Sequence, residues 1–175
     1  NFNSNIKDLN LKQDFTFYAN AKNTVRFGFN AIHHTITPTI AGGTGIVSTK
    51  KSRKGLENAL YVSNTVKASD KISLDYGLRF SFYNVMGGDT YNIYKGDELV
   101  DSVKPAAGKI GKTYYNLEPR ISMNYRVNNT SSVKIGYARN IQNLHLMSNS
   151  TGGSPTDQWI GNSYNIKPEI ADKLS

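Results

Sequence analysis

Residues Thr113–Val127, TYYNLEPRISMNYRV, alternate with a period of two. Tyr115, Leu117, Pro119, Ile121, Met123, Tyr125 and Val127 fall on one side, and Asn116, Glu118, Arg120, Ser122, Asn124 and Arg126 on the other. Successive side chains of a strand point to opposite faces, so this stretch is a strand with one apolar and one charged face. A sheet packed on a protein core and a barrel wall standing in lipid would both produce that pattern. The same period recurs over Leu9–Ala19, Val25–Thr37, Glu57–Ala68, Ile72–Val85 and Val133–Met147, with Lys112–Val127 completing a set of six. No stretch has the period of an amphipathic helix, so the expected fold class is all-β, an antiparallel up-and-down meander of about six long strands.

The connections separate the two environments. NAKN (Asn20–Asn23), SD (Ser69–Asp70) and NNTS (Asn128–Ser131) are tight, turn-forming links. Between them lie long stretches starting at Pro38, Gly87 and Ser148. Every second connection of a meander lies at the same end, so one end has the short turns and the other the long loops. Outer-membrane β-barrels are built this way, with the long loops extracellular. A soluble sandwich has no reason for the asymmetry. The segments also reach or exceed the roughly 9–11 residues a tilted membrane strand needs, where strands of ordinary sheets run to about 5–6. Aromatics gather toward both ends: Phe15, Phe17, Phe27, Phe29, Tyr125 and Tyr137 toward the short-turn rim, and Phe80, Phe82 and Tyr115 toward the loop rim.

The apolar face is therefore expected in lipid and the charged face in a wet lumen. Asp75, Arg79, Glu118, Arg120, Arg126 and Lys134 all fall on that inner face. A six-stranded barrel has only a packed interior, where burying these charges would cost several kcal/mol each before pairing. Open sheet edges in lipid would be worse, because each unpaired backbone group costs several kcal/mol. The segments are thus expected to form one sector of a larger closed barrel. The chain begins without Met and ends in the alternating run EIADKLS, as expected of a piece of a longer protein, with residues 1–175 belonging to a single transmembrane barrel domain.

With 38% hydrophobic residues and no run of about 18 apolar ones, the chain holds no membrane-spanning helix. It has no cysteine, which excludes disulfides and thiolate metal sites. The net charge of +8 is scattered over strands and loops, and no nucleic-acid module is legible. Its densest cluster, KKSRK (Lys50–Lys54), reads as a solvated loop.

The wording of several segments resembles the barrel of TonB-dependent outer-membrane receptors of the Bacteroidota type. The segments are LEPR (Leu117–Arg120), NTSSVK (Asn129–Lys134), QNLHLMSN (Gln142–Asn149), PTDQW (Pro155–Trp159) and NIKPEIAD (Asn165–Asp172). LKQDFTFYANAKNTVRFGFNAIHHT and KISLDYGLRFS resemble earlier strands of the same barrel. The resemblance implies a barrel of about 22 strands around an amino-terminal plug. It implies a receptor that binds a scarce or bulky nutrient at its extracellular loops and is opened by the TonB energy-coupling complex acting on the plug. It also allows a surface lipoprotein partner. Neither plug nor coupling motif lies in this sequence.

Among individual residues, adjacent His33 and His34 point to opposite faces and are not expected to share a metal ion. Glu118 and Arg120, two apart on one face, are expected to form a lumen-lining ion pair. The glycines of AGGTG (Ala41–Gly45) and TGGSP (Thr151–Pro155) are followed by no helix and lysine, so they read as extracellular loop and not as phosphate cradles. Trp159 either stacks on a ligand or anchors its loop, and Tyr91 and Tyr94 are further ligand candidates. TYNIYKGDELVDSV (Thr90–Val103) is expected to form a projecting β-ribbon that turns at KGDE. No catalytic residue, metal or cofactor is called for. Two other readings share parts of the pattern: a different outer-membrane barrel (porin, secretion or assembly component), and a soluble carbohydrate-binding β-sandwich.

Overall fold

A computed structural model of the chain describes residues 5–37, 39–41, 47–49, 52–147 and 158–175. The strands are β1 (Asn5–Asn20), β2 (Asn23–Thr37), β3 (Thr39–Ala41), β4 (Val47–Thr49), β5 (Arg53–Lys67), β6 (Ile72–Met86), β7 (Tyr91–Lys95), β8 (Glu98–Val103), β9 (Ile110–Arg126), β10 (Ser132–Gln142), β11 (Leu144–Met147), β12 (Gln158–Gly161) and β13 (Glu169–Leu174). A seven-stranded antiparallel sheet runs β1-β2-β5-β6-β9-β10-β13, and three two-stranded ribbons, β3–β4, β7–β8 and β11–β12, rise from its long connections. The loop glycines of AGGTG and TGGSP lie outside the described residues.

The short turns are fixed by their own side chains. Asn20 accepts the Lys22 amide at 2.9 Å, the Ser69 hydroxyl accepts the amides of Lys71 and Ile72, and Asn128 accepts the Thr130 amide at 2.9 Å. Such side-chain turns hold register locally, and register is then uniform. The row Phe15, Phe27, Val62, Leu78, Pro119 crosses five strands in unbroken alignment, as does its neighbour Asp14, Gly28, Tyr61, Arg79, Glu118.

The two faces differ as the alternation predicts. Ala59, Ser81, Tyr83, Val85 and Glu118 share one face and are buried, whereas Phe27, Leu60, Leu78, Phe80 and Leu117 share the other and are exposed. Among the described residues no second sheet covers the exposed apolar face, as a β-sandwich would require. The buried apolar cluster among the described residues is Tyr83, Val85 and Tyr91, with Tyr114 and Tyr164 against it, at the loop end of the inner face.

One departure from the sequence pattern shapes this end. The segment expected as one strand over Val133–Met147 leaves the sheet after Gln142. Asn143 turns out of line to hydrogen-bond Glu57 at 2.8 Å, and Leu144–Met147 pairs with Gln158–Gly161 instead. β13 pairs alongside β10, with Gln142 opposite Glu169 and Tyr137 opposite Leu174. The ribbon expected over Thr90–Val103 is present as β7–β8 and turns through Gly96, whose φ of 64° suits glycine.

Candidate functional site at the loop rim of the lumen

A polar chain crosses the inner face near the loop rim. His34 on β2 is buried between Asp8 on β1, 2.8 Å from its Nδ1, and Glu57 on β5, 3.9 Å from its Nε2. Glu57 faces the Arg79 guanidinium at 3.6 Å, and Arg79 reaches Glu118 at 3.4 Å. The buried Ser81 hydroxyl donates to the same Glu118 oxygen at 2.8 Å. Two carboxylates sharing one guanidinium and further donors keep buried charge compensated, which the low-dielectric site requires.

The chain continues into the β11–β12 ribbon. Asn143 donates to Glu57 and accepts from the buried Asn162 side chain at 2.7 Å. Asn162 meets His145 at 2.9 Å, and His145 faces Glu169 on β13 at 3.9 Å. The base of the ribbon is thereby tied to the lumen side of β2, β5 and β6. Gly161 permits the seating, since a Cβ there would come within 2.5 Å of the Tyr83 hydroxyl and 3.2 Å of the Ile36 methyl. Beyond it, Tyr114 donates to the Ser163 carbonyl at 2.6 Å and Lys112 to the Tyr164 carbonyl at 3.3 Å.

Between the β7–β8 ribbon and residues 163–165 opens a cleft of ≈ 230 Å³. Tyr91 is buried in its floor, with its hydroxyl donating to the Met86 carbonyl at 2.8 Å and burial pushing its pKa above the usual phenol value. Its ring packs on Tyr164, with centroids 5.3 Å apart, and under the Arg53 guanidinium. Tyr94 is half exposed on the cleft wall. Trp159 lies outside this cleft, opposite Leu146 on the β11–β12 ribbon, where it is partly exposed.

The inner-face charges fall into three groups. Arg79 and Glu118 belong to the buried chain. Asp75, Arg120 and Lys134 line an open trough of ≈ 370 Å³ in the short-turn half, together with Arg26 and Lys173. Arg126 sits at the short-turn rim and donates to the Asp70 carbonyl. Glu118 does not pair with Arg120 as expected. In an antiparallel sheet the residue directly opposite is closer than one two positions along the same strand, and opposite Glu118 stands Arg79.

His34, Glu57, Asn143 and Asn162 were not legible as a site. The alternation places Glu57 and His34 inward, but the contact that joins them to Asn143 spans 86 residues of sequence. His33 and His34 do part to opposite faces, and His34 is buried where Asp8 and Glu57 flank it. Among the described residues no His, Cys, Asp or Glu cluster is arranged to hold a metal.

On the outward face the row of Leu78 and Pro119 ends in a charged pair: Arg139 donates from Nε and Nη2 to the two oxygens of Asp172 at 2.8 and 3.0 Å, and Tyr137 adds a third bond at 2.8 Å. The bidentate geometry leaves no net charge toward lipid.

An antiparallel wall with short turns at one rim, long loops at the other, an apolar outside and a hydrogen-bonded polar inside defines a sector of a transmembrane β-barrel of the outer membrane. More particularly, the chain belongs to the family described as TonB dependent receptor-like, beta-barrel, whose model matches residues 1–175. That family consists of transporter and receptor barrels of the outer membrane that work with TonB, and it is not an enzyme class. Among curated proteins and solved structures, none matches the chain.

Proposed function

We propose that the chain is the wall and extracellular gate of a receptor that actively imports a scarce or bulky nutrient, in a single barrel domain closed around a plug. The observation that carries this reading is the β11–β12 ribbon, its base tied on the lumen side through Asn143 to Glu57. A strand pair tied inward at the loop rim narrows the route there, as an active importer needs until energy is supplied through the plug. The inner-face charges Asp75, Arg79, Glu118, Arg120, Arg126 and Lys134 serve to hydrate the wall and contact the plug, without catalysis. Tyr91, Tyr94 and Trp159 serve the ligand side. A surface lipoprotein partner would meet the loop rim.

Planar-bilayer recording of the full-length receptor tests this directly. A plugged importer is expected to give a silent membrane. Steady, porin-sized conductance steps would instead favour the porin reading.

A further inference from the structure

The charges of the lumen face divide along the strands. Toward the loop rim each inward carboxylate of the sheet's first strands has a partner within the wall: Asp8 holds His34, Asp14 lies 3.0 Å from Lys12, and Glu57 and Glu118 share Arg79. Toward the short turns that balance is lost. Arg26, Arg120 and Lys173 stand in one transverse row, on β2, β9 and β13. Two rows nearer the turns Lys67 and Lys134 share another, joined through Ser73 and Asn124. Lys71 and Arg126 follow at the rim, where the Arg126 amide donates to the Lys71 carbonyl at 2.8 Å.

These side chains are all exposed, and among the described residues none of them forms an ion pair. Two carboxylates stand among them. Asp75 already accepts from the Thr65 hydroxyl at 2.7 Å, and Asp70 lies in the turn. The wall is thus compensated near the loops and strongly basic near the turns.

The extent of the basic surface decides what can cover it. At about 3.4 Å per residue and about 4.8 Å per strand, it runs about 20 Å from Arg120 to Arg126 and about 24 Å from β2 to β13. A phosphate or small carboxylate would cover one corner of it. Lipid headgroups are excluded by direction, since Arg26, Arg120 and Lys173 share the inward face with Arg79 and Glu118. What spans such an area from inside is the face of a polypeptide, and the open trough of ≈ 370 Å³ between Arg26, Arg120, Lys134 and Lys173 gives its protruding side chains room.

In the import reading above, the lumen is filled by the plug. A neutral or basic plug face would strip water from these cations and return no partner, which is costly in a closed interior. We propose that the short-turn half of the wall docks an acidic face of the receptor's own plug, with carboxylates set against Arg26, Arg120 and Lys173 and against Lys67 and Lys134. This names the chemistry of the plug in the import reading and rests on it.

Carbodiimide coupling of the full-length receptor, read by peptide mass spectrometry, tests the contact, because it joins carboxylates to amines that touch them. Lys67, Lys134 and Lys173 are expected to couple to aspartates or glutamates of the plug, while Lys12 couples to Asp14. A second measurement uses Arg26→Glu/Arg120→Glu, retaining the heat-modifiable electrophoretic shift of a folded barrel. Like charges then face each other, and protease should cleave its plug about threefold faster than that of Arg26→Gln/Arg120→Gln. Lysines that couple to nothing in the plug, or equal cleavage in the two variants, would overturn the proposal. So would protection of the same lysines from acetylation by added citrate without any coupling to the plug, which would assign the surface to passing anions. A silent bilayer without coupling sinks only the acidic docking face, whereas porin-sized conductance sinks the import reading and this proposal with it.

Discussion

Glu57 holds together more of the loop rim than any other side chain, because Arg79, Asn143 and His34 all converge on it. Glu57→Ala would leave the buried Asn143 and His34 without that partner, and Arg79 with Glu118 alone. Breaking a buried charged set from one side is costly, and a loss of about 3 kcal/mol is expected in urea unfolding from liposomes. A loss below about 1 kcal/mol would show that water already screens the cluster. Gly161 makes the opposite demand, for emptiness. Gly161→Val drives a side chain into the Tyr83 hydroxyl and Ile36, and overpacking of this kind costs about 1–3 kcal/mol. Its specific sign is lift of the ribbon, read as faster protease cleavage between Met147 and Gln158 with the barrel band intact. Unchanged cleavage would mean that the ribbon finds another seat.

At the scale of elements, the sheet was legible because one rule repeats along every strand. Alternation fixed which residues share a face, and Asn, Asp and Ser clusters fixed the short turns, so β1, β2, β5, β6 and β9 fall where their pattern puts them. The β7–β8 ribbon was legible for the same reason, with Gly96 at its turn. The end of β10 was not. LHLM continues the run of strand-forming residues beyond Gln142, and nothing local marks the break. Its cause is the distant Glu57, which draws Asn143 out of line. The Arg139–Asp172 pair was equally illegible, since a charge on an apolar row makes sense only once its partner stands opposite. Asp172→Ala should destabilise the folded barrel by stranding Arg139 on the lipid face, and Arg139→Ala/Asp172→Ala together should recover part of the loss. A double variant as unstable as the sum of the singles would show that the two charges do not interact.

For the whole molecule, the account rests on which face meets lipid. Leu78→Arg on the outward face is expected to cost about 2–4 kcal/mol if its row lies near the bilayer midplane, while Thr65→Arg in the lumen trough should cost less than about 1 kcal/mol. Equal costs would deny that the faces differ in environment. A more direct measurement places a single spin label at each position of β6 in turn, on a cysteine introduced into a cysteine-free background, to which residues 1–175 contribute no cysteine of their own. Nitroxides at residues 74 to 82 of the full-length receptor in liposomes would be compared for collision with oxygen, which concentrates in lipid, and with a water-soluble nickel chelate. Oxygen contact should peak at 74, 76, 78, 80 and 82 and fall at 75, 77, 79 and 81, which face the lumen. A profile with no period of two, or with nickel contact peaking at Leu78 and Phe80, would contradict the barrel wall itself.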